Sequence, residues 1–349
     1  MDVIPAIGTL DEFRALIQTI PGPSLEAQKM TTEREGLLTK PPGSLGRLEE
    51  LSAWLATWQH RSPPRMEKPA CAVFAGNHGV AAQGVSAFPA EVTAQMVGNF
   101  AHGGAAINQL CRTFGVALTV EALRLDEPTA DFTQAPAMEE AACVEAIRIG
   151  MRAAEKVVGE DCDVLCLGEM GIANTTSASA IGLALFGGEA VDWTGRGTGI
   201  SAEVWSHKAT VVRQAVEKHK AALTDGLEVL RCLGGRELAA IVGAVVAARL
   251  CRVPVMLDGF VCTAAAATLS PLRAGVLDHC SIAHVSAEPA HRWLSELLGK
   301  HPLLELNMRL GEASGAALAV GLLRGAVACH TGMATFAEAG VSDKETGRT

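Results

Sequence analysis

Tyrosine is absent from the 349 residues, and all aromatics together make up 4%. Antiparallel sandwiches draw on aromatic cross-strand pairs, so this composition argues against one. Charge is scarce as well, at 19% against 49% hydrophobic, which excludes a disordered chain. An excess of positive charge is missing. Lys and Arg total 29 and Asp and Glu 38, for a net of -9, with no block of one sign. That removes the electrostatic footprint of a nucleic-acid binder and leaves small anions held by local donors. Long apolar runs are missing too: Leu238 to Ala248, closed by Arg249, falls short of the ~20 residues that span a bilayer. The segment Met1 to Pro5 has neither a basic nor an apolar signal region, so the reading is a soluble, cytoplasmic protein without a membrane partner.

Ten cysteines are present but no CxxC; the nearest pair is Cys162 and Cys166. Most lie in apolar company and read as buried, reduced thiols. His279, His284 and His291 are close in sequence but lack a metal-ligand spacing, so no metal site is expected.

Gly, Ala, Val and Leu fill the space left by the aromatics, over a length of one large domain or about two ordinary ones. Five short apolar runs end on Gly or a polar residue: 70–76, 116–120, 163–168, 254–259 and 279–284. Ala-rich helical patterns separate or flank them, at 101–114, 138–158, 177–186, 203–222 and 238–251. Helical spacing also marks 10–20, 45–58, 293–298 and 314–329, with a loop at Lys40 to Gly46. The pattern is α/β: a parallel sheet whose strands are buried on both faces by helices. Ligands in such folds sit at the carboxyl ends of the strands, which directs attention to Asn77, His78, Glu169 to Thr176, Asp258 and Ser286 to Glu288.

The common nucleotide and hydrolase motifs are missing: no GxxxxGK[ST], no GxGxxG after a strand, no GxSxG, no HExxH. Four local patterns remain. Thr194 to Ser201 alternates glycines around Arg196, which suits a phosphate cradle or a plain flexible loop. Gly168 to Thr176 follows a strand and opens a helix; Gly171, Asn174, Thr175 and Thr176 suit an anion site or an ordinary cap. Glu312 stands among small residues at the start of an apolar helix, either as a cap or as a partly desolvated general base. His78 follows the first strand and either faces a ligand or bonds within its turn.

Several longer segments carry a resemblance. They are Lys40 to Glu49, Ala75 to Val80, Pro89 to Thr93, Gly168 to Thr176, Leu257 to Phe260, Ser286 to Glu288 and Met308 to Ala317. In this order, nearly end to end, they resemble the nicotinate-nucleotide–dimethylbenzimidazole phosphoribosyltransferase family. The resemblance implies a Rossmann-like parallel sheet in residues 66–294 and a smaller helical domain from 1–65 and 295–349. It implies a homodimer, no metal or organic cofactor, and two small-molecule substrates, nicotinate mononucleotide and a benzimidazole base. The products would be α-ribazole 5'-phosphate and nicotinate, formed during assembly of the cobalamin nucleotide loop. By the same resemblance Glu312 is the general base and Glu169 steadies the developing ribosyl cation. Gly171, Asn174, Thr175, Thr176, Gly197, Lys208 and Ser286 hold the phosphate, Asp258 lies near the ribose, and Leu310 contacts substrate. The family carries a Ser just before the Pro89 position and a Gln seven positions after it; this chain has Phe88 and Met96. Both would favour apolar benzimidazoles over polar bases such as adenine. Two other classes stand beside it: a binder without catalysis, which intact Glu312 and Glu169 oppose, and a dinucleotide oxidoreductase, whose glycine fingerprint is missing.

Overall fold

The computed structural model describes residues 4–342 except 160 and 198. Its sheet has five parallel strands: β1 Pro69–Ala75, β2 Ala117–Ala122, β3 Val164–Met170, β4 Val255–Leu257 and β5 Cys280–Ile282. Their order is β2-β1-β3-β4-β5, so the chain reverses direction across the sheet between β1 and β3.

Side-chain alternation along the strands builds two cores, one on each face. Ala70, Ala72 and Phe74 of β1, Leu165 and Leu167 of β3, and Val255 and Leu257 of β4 face the larger one. Helices Glu140–Val158, Asn174–Phe186, Gly226–Leu233, Arg236–Leu250 and Phe260–Ala267 cover it. Cys71, Val73, Val164, Cys166 and Met256 face the other, beneath helices Arg47–Gln59, Ala106–Thr113 and Ser314–Gly332. The first helix, Leu10–Thr19, joins the larger core through Leu10, Phe13 and Ile17. All ten cysteines are free, and seven are buried.

The poverty in aromatics has a structural counterpart. Helices Glu140–Val158 and Arg236–Leu250 touch backbone to backbone. A Cβ on Gly150 would strike the Ala240 carbonyl, and one on Gly243 the Ile147 carbonyl. Small residues permit this approach.

Two expectations are corrected, and one helix, Leu25–Leu37, was not picked out in the sequence. The segment 101–114 is not one helix: Glu91–Ala101 ends early, and Ala106–Thr113 begins after a turn with Gly103 at φ 75°. Helix Leu25–Leu37 carries no apolar stripe, because its buried positions are Ala27, Thr31 and Glu35. Strand β2 is half-exposed rather than buried on both faces, because it is an edge with one strand neighbour. Among the described residues no helix is long and apolar enough to cross a membrane.

Candidate active site

A cleft opens at the carboxyl ends of β3, β4 and β5. Its walls come from the Glu169–Thr175 turn, from Gly259 to Val261, and from His284, Ser286 and Glu288. Two segments close over it: the glycine-rich loop with Arg196, Gly197 and Ile200, and the stretch Arg309 to Gly311.

Two helices start at the site in the same way. Gly171-Ile172-Ala173 leads into Asn174–Phe186, and Gly311-Glu312-Ala313 leads into Ser314–Gly332. Ala173 (φ 72°) and Ala313 (φ 63°) are left-handed caps without a side-chain cap bond, and Glu312 (φ 64°) is left-handed too. L-residues take this conformation at a cost, so its concentration here marks a locally strained, over-determined site. The two amino-terminal ends also bring positive dipole ends to the site, and that of the second helix gives its first N–H groups to Asp258.

Carboxyl groups gather at the site. Glu169 is buried at the end of β3 and accepts a hydrogen bond from Asn174 Nδ2. Burial pushes its carboxyl up to about 8, the Asn174 bond opposes this, and Glu237, Asp258 and Glu312 add repulsion. Asp258 accepts from the Ala316 N–H at 2.9 Å. Burial lifts it to about 7 despite the N–H groups of Ala316, Gly315 and Ala313. Glu312 is raised by burial and opposed by the Ile107 N–H. Gly311 is confined by Glu169: a Cβ there would collide with Glu169 Oε1.

Cationic groups stand near the glycine-rich loop, beside the Glu288 carboxyl. Lys208, on helix Ala202–His219, is buried, and its Nζ donates to Thr175 Oγ1 (2.8 Å) and the Gly195 carbonyl (3.4 Å). Burial pulls this ammonium down to about 8, with Glu288 opposing. Arg309 donates to the Gly197 carbonyl at 2.9 Å, which ties the two covering segments together. The Ser286 hydroxyl accepts from the Glu288 N–H at 3.2 Å. Buried polar atoms without a partner cluster around the cleft: Thr176 Oγ1, Asp258 Oδ2, both ring nitrogens of His284, Glu288 Oε2 and Glu312 Oε2. Such atoms are costly unless a ligand completes them. Among the described residues no group of three His, Cys, Asp or Glu could hold a metal.

The family model for a phosphoribosyltransferase matches residues 20–341. The chain is 58% identical over 341 residues to the nicotinate-nucleotide–dimethylbenzimidazole phosphoribosyltransferase of Ruegeria pomeroyi, covering 98% of this chain and 100% of that one. The chain belongs to this phosphoribosyltransferase family. It is also 55% identical to the enzyme of the same name from Sinorhizobium medicae, over 96% of this chain and 97% of that one. A crystal structure of CobT from Thermus thermophilus matches with a TM-score of 0.85 at 41% identity, covering 91% of this chain and 99% of that one. As a member of the family the protein is a pentosyltransferase.

Of the residues singled out in the sequence of this phosphoribosyltransferase, Glu169, Gly171, Asn174, Thr175, Gly197, Lys208, Ser286 and Leu310 meet at the cleft. Others surround it without lining it. Thr176 is fully buried one position behind Thr175, and Asp258 lies beneath the floor. Glu312 is buried with the Ile107 N–H beside its carboxyl. Met96 is half-buried and packs on the second core, while Phe88 is 49% exposed. The helix bearing Met96 is tied to the β3 turn, since the Ile172 N–H donates to Thr93 Oγ1 at 3.2 Å. His78 does not face the cleft: its Nε2 bonds Glu237 Oε1 and its Nδ1 the Ser177 hydroxyl at 3.0 Å. Arg196 of the glycine-rich loop and Glu288 of the strand-end stretch also line the cleft, together with Arg309 and His284, which were not singled out as candidate ligand contacts. Their positions after strands or in loops were visible, but which of them converge depends on long-range folding.

Proposed function

We propose that the cleft transfers the phosphoribosyl group of nicotinate mononucleotide to dimethylbenzimidazole, giving α-ribazole 5'-phosphate and nicotinate for the cobalamin nucleotide loop. One observation carries the reading: the same cleft is lined by the Lys208–Thr175 hydrogen bond and by the buried Glu169 carboxyl, with Glu312 buried directly behind Gly311 of its wall. A lysine with a helix amino terminus and a carboxyl in one cleft suit a molecule that carries both a phosphate and a reacting cationic centre. Phosphate oxygens would accept from Lys208, Thr175, the Gly197 loop and Ser286, aided by the helix that starts at Asn174.

The chemistry needs little else. The pyridinium nitrogen of the donor takes the electron pair of the breaking C1'–N bond and leaves as neutral pyridine nitrogen, so no acid is required. A benzimidazole nitrogen attacks from the opposite face, which converts a β-nucleotide into an α-product in one displacement. As the new C–N bond forms, the other ring N–H becomes acidic, and Glu312 takes that proton. Glu169 faces the ribosyl cation as it develops. The arriving pyridinium favours the Glu169 anion, which converts a carboxyl that burial holds protonated into the charged form. The proposal makes the enzyme a cytoplasmic homodimer without metal or organic cofactor. Light scattering tests the dimer, expecting twice the chain mass.

The first experiment mixes purified protein with nicotinate mononucleotide and dimethylbenzimidazole and reads the products by mass spectrometry. Free nicotinate together with a benzimidazole riboside phosphate supports the transfer. Nicotinate alone means hydrolysis, and neither product from folded protein overturns the proposal.

A further inference from the structure

His284 follows β5 and lines the cleft beside Gly259 and Ser286. It is buried, and neither Nδ1 nor Nε2 has a partner. Burial lowers its basicity against an opposing pull from the Val285 main chain, which does not reach hydrogen-bond geometry, and a neutral ring carries one donor and one acceptor. Its neighbour His291 is the contrast. There Nδ1 accepts from the Ser286 N–H at 2.8 Å, and Nε2 meets Thr263 Oγ1 at 2.9 Å. The Thr263 hydroxyl spends its own hydrogen on the Gly259 carbonyl at 2.8 Å, so His291 donates from Nε2 and is fully used. His291 is part of the scaffold, whereas His284 is left open.

The surroundings of His284 define what would complete it. Its Nε2 lies 3.7 Å from Asp258 Oδ1, too far for a hydrogen bond, and Asp258 Oδ2 has no partner either. The ring has no room to retreat toward the last helix, because it already fills the space that a Cβ on Gly315 would need. A hydroxyl group both donates and accepts, and so matches an imidazole next to a carboxyl. The location fits as well. His284 stands between Ser286, on the phosphate side, and the Asp258–Glu169 carboxyl side.

We infer that His284 hydrogen-bonds one hydroxyl of the ribosyl ring and thereby selects ribosyl over deoxyribosyl donors. The inference rests on the phosphoribosyl-transfer reading and adds a sugar-contacting residue to it.

The test is a cycle of variants and donors. Wild type, His284→Ala and His284→Gln are assayed with nicotinate mononucleotide and its 2'-deoxy and 3'-deoxy forms. With the ribonucleotide, His284→Ala should lower kcat/KM roughly tenfold, the effect of one buried hydrogen bond. That loss should vanish with one of the deoxy donors, and His284→Gln should recover part of it. An equal loss on all three donors would overturn the contact and leave the ring a structural role. If His284→Ala does not fold, His284→Gln against wild type runs the same cycle. If wild type turns over no donor, the transfer reading has failed. Calorimetry of ribose 5-phosphate against 2-deoxyribose and 3-deoxyribose 5-phosphates then tests the contact alone. Wild type should prefer ribose 5-phosphate to at least one deoxy sugar, and His284→Gln should reduce that preference; equal binding of all three sugars by wild type refutes the inference.

Discussion

The main-chain N–H of Glu312 donates to the main-chain carbonyl of Glu169 at 3.1 Å. This bond joins the end of β3 to the segment that opens the last long helix. It puts two acidic residues from distant parts of the sequence into one rigid frame, which neither helix could provide alone.

Glu312→Gln keeps the shape of the side chain and the left-handed backbone while removing the base. Steady-state turnover should fall by roughly 10²–10⁴-fold with an unchanged melting curve. Activity near wild type would remove Glu312 from the role of base.

Gly311→Ala tests the contact with Glu169. Gly311 has φ 86°, and an added Cβ would run into the Glu169 carboxyl. Gly340→Ala is the control, left-handed at φ 63° with nothing within 4 Å of an added Cβ. Both variants should lose about 1–2 kcal/mol of stability from the left-handed alanine. Only Gly311→Ala should lose kcat; equal activities would show that the position of Glu169 tolerates displacement.

Lys208 sets a pH dependence for donor capture. Burial brings its ammonium to about 8 in the free protein. Below that pH the charge is present to meet a phosphate; above it the amine is neutral. The kcat/KM for the nucleotide should therefore decline above about pH 8, and Lys208→Gln should raise KM and flatten that decline. A profile with the same upper limb in the variant would assign the limb elsewhere.

Glu169 sets a pH dependence for stability. Its folded carboxyl titrates near 8, above the ordinary value of 4.5. Between those values the unfolded chain has released the proton and the folded chain still holds it. Its contribution is therefore complete below about 4.5 and is lost as pH rises to about 8. The melting temperature of ligand-free protein should drop across this window, and Glu169→Gln should lessen the drop by several degrees. An identical slope in the variant would show that other groups control it.

Met96 and Phe88 bear on the choice of base. Competition between dimethylbenzimidazole and adenine should favour the benzimidazole in wild type, and Met96→Gln should move the balance toward adenine. Equal use of both bases by wild type would refute an apolar pocket.

The sheet was legible because each strand is a short apolar run that ends where a turn must begin, as at Gly76 and Gly171. Helix Leu25–Leu37 was not, because its inward positions include Thr31 and Glu35, and polarity hid the period. The Ala-rich pattern after residue 101 concealed the break at Gly103. In the site, the Glu169 turn could be read from its place after a strand. Lys208 could not be read that way: in sequence it is one lysine on a mixed helix, and only the resemblance pointed to it. His284 looked like the last residue of a strand, and its two idle nitrogens exist only once β4, β5 and the final helix have come together.

The paired alanine caps carry a consequence for how the molecule comes into being. Neither Ala173 nor Ala313 offers a side-chain oxygen to the helix that follows, and both hold an unfavourable backbone twist. Local capping thus does nothing to hold those helices at their starting points. Their starting points are held by tertiary contacts, the two turns being locked against each other by the Glu312–Glu169 main-chain bond. On this view the cleft is a late product of folding, and a chain that has its sheet but not this lock would be compact and inert.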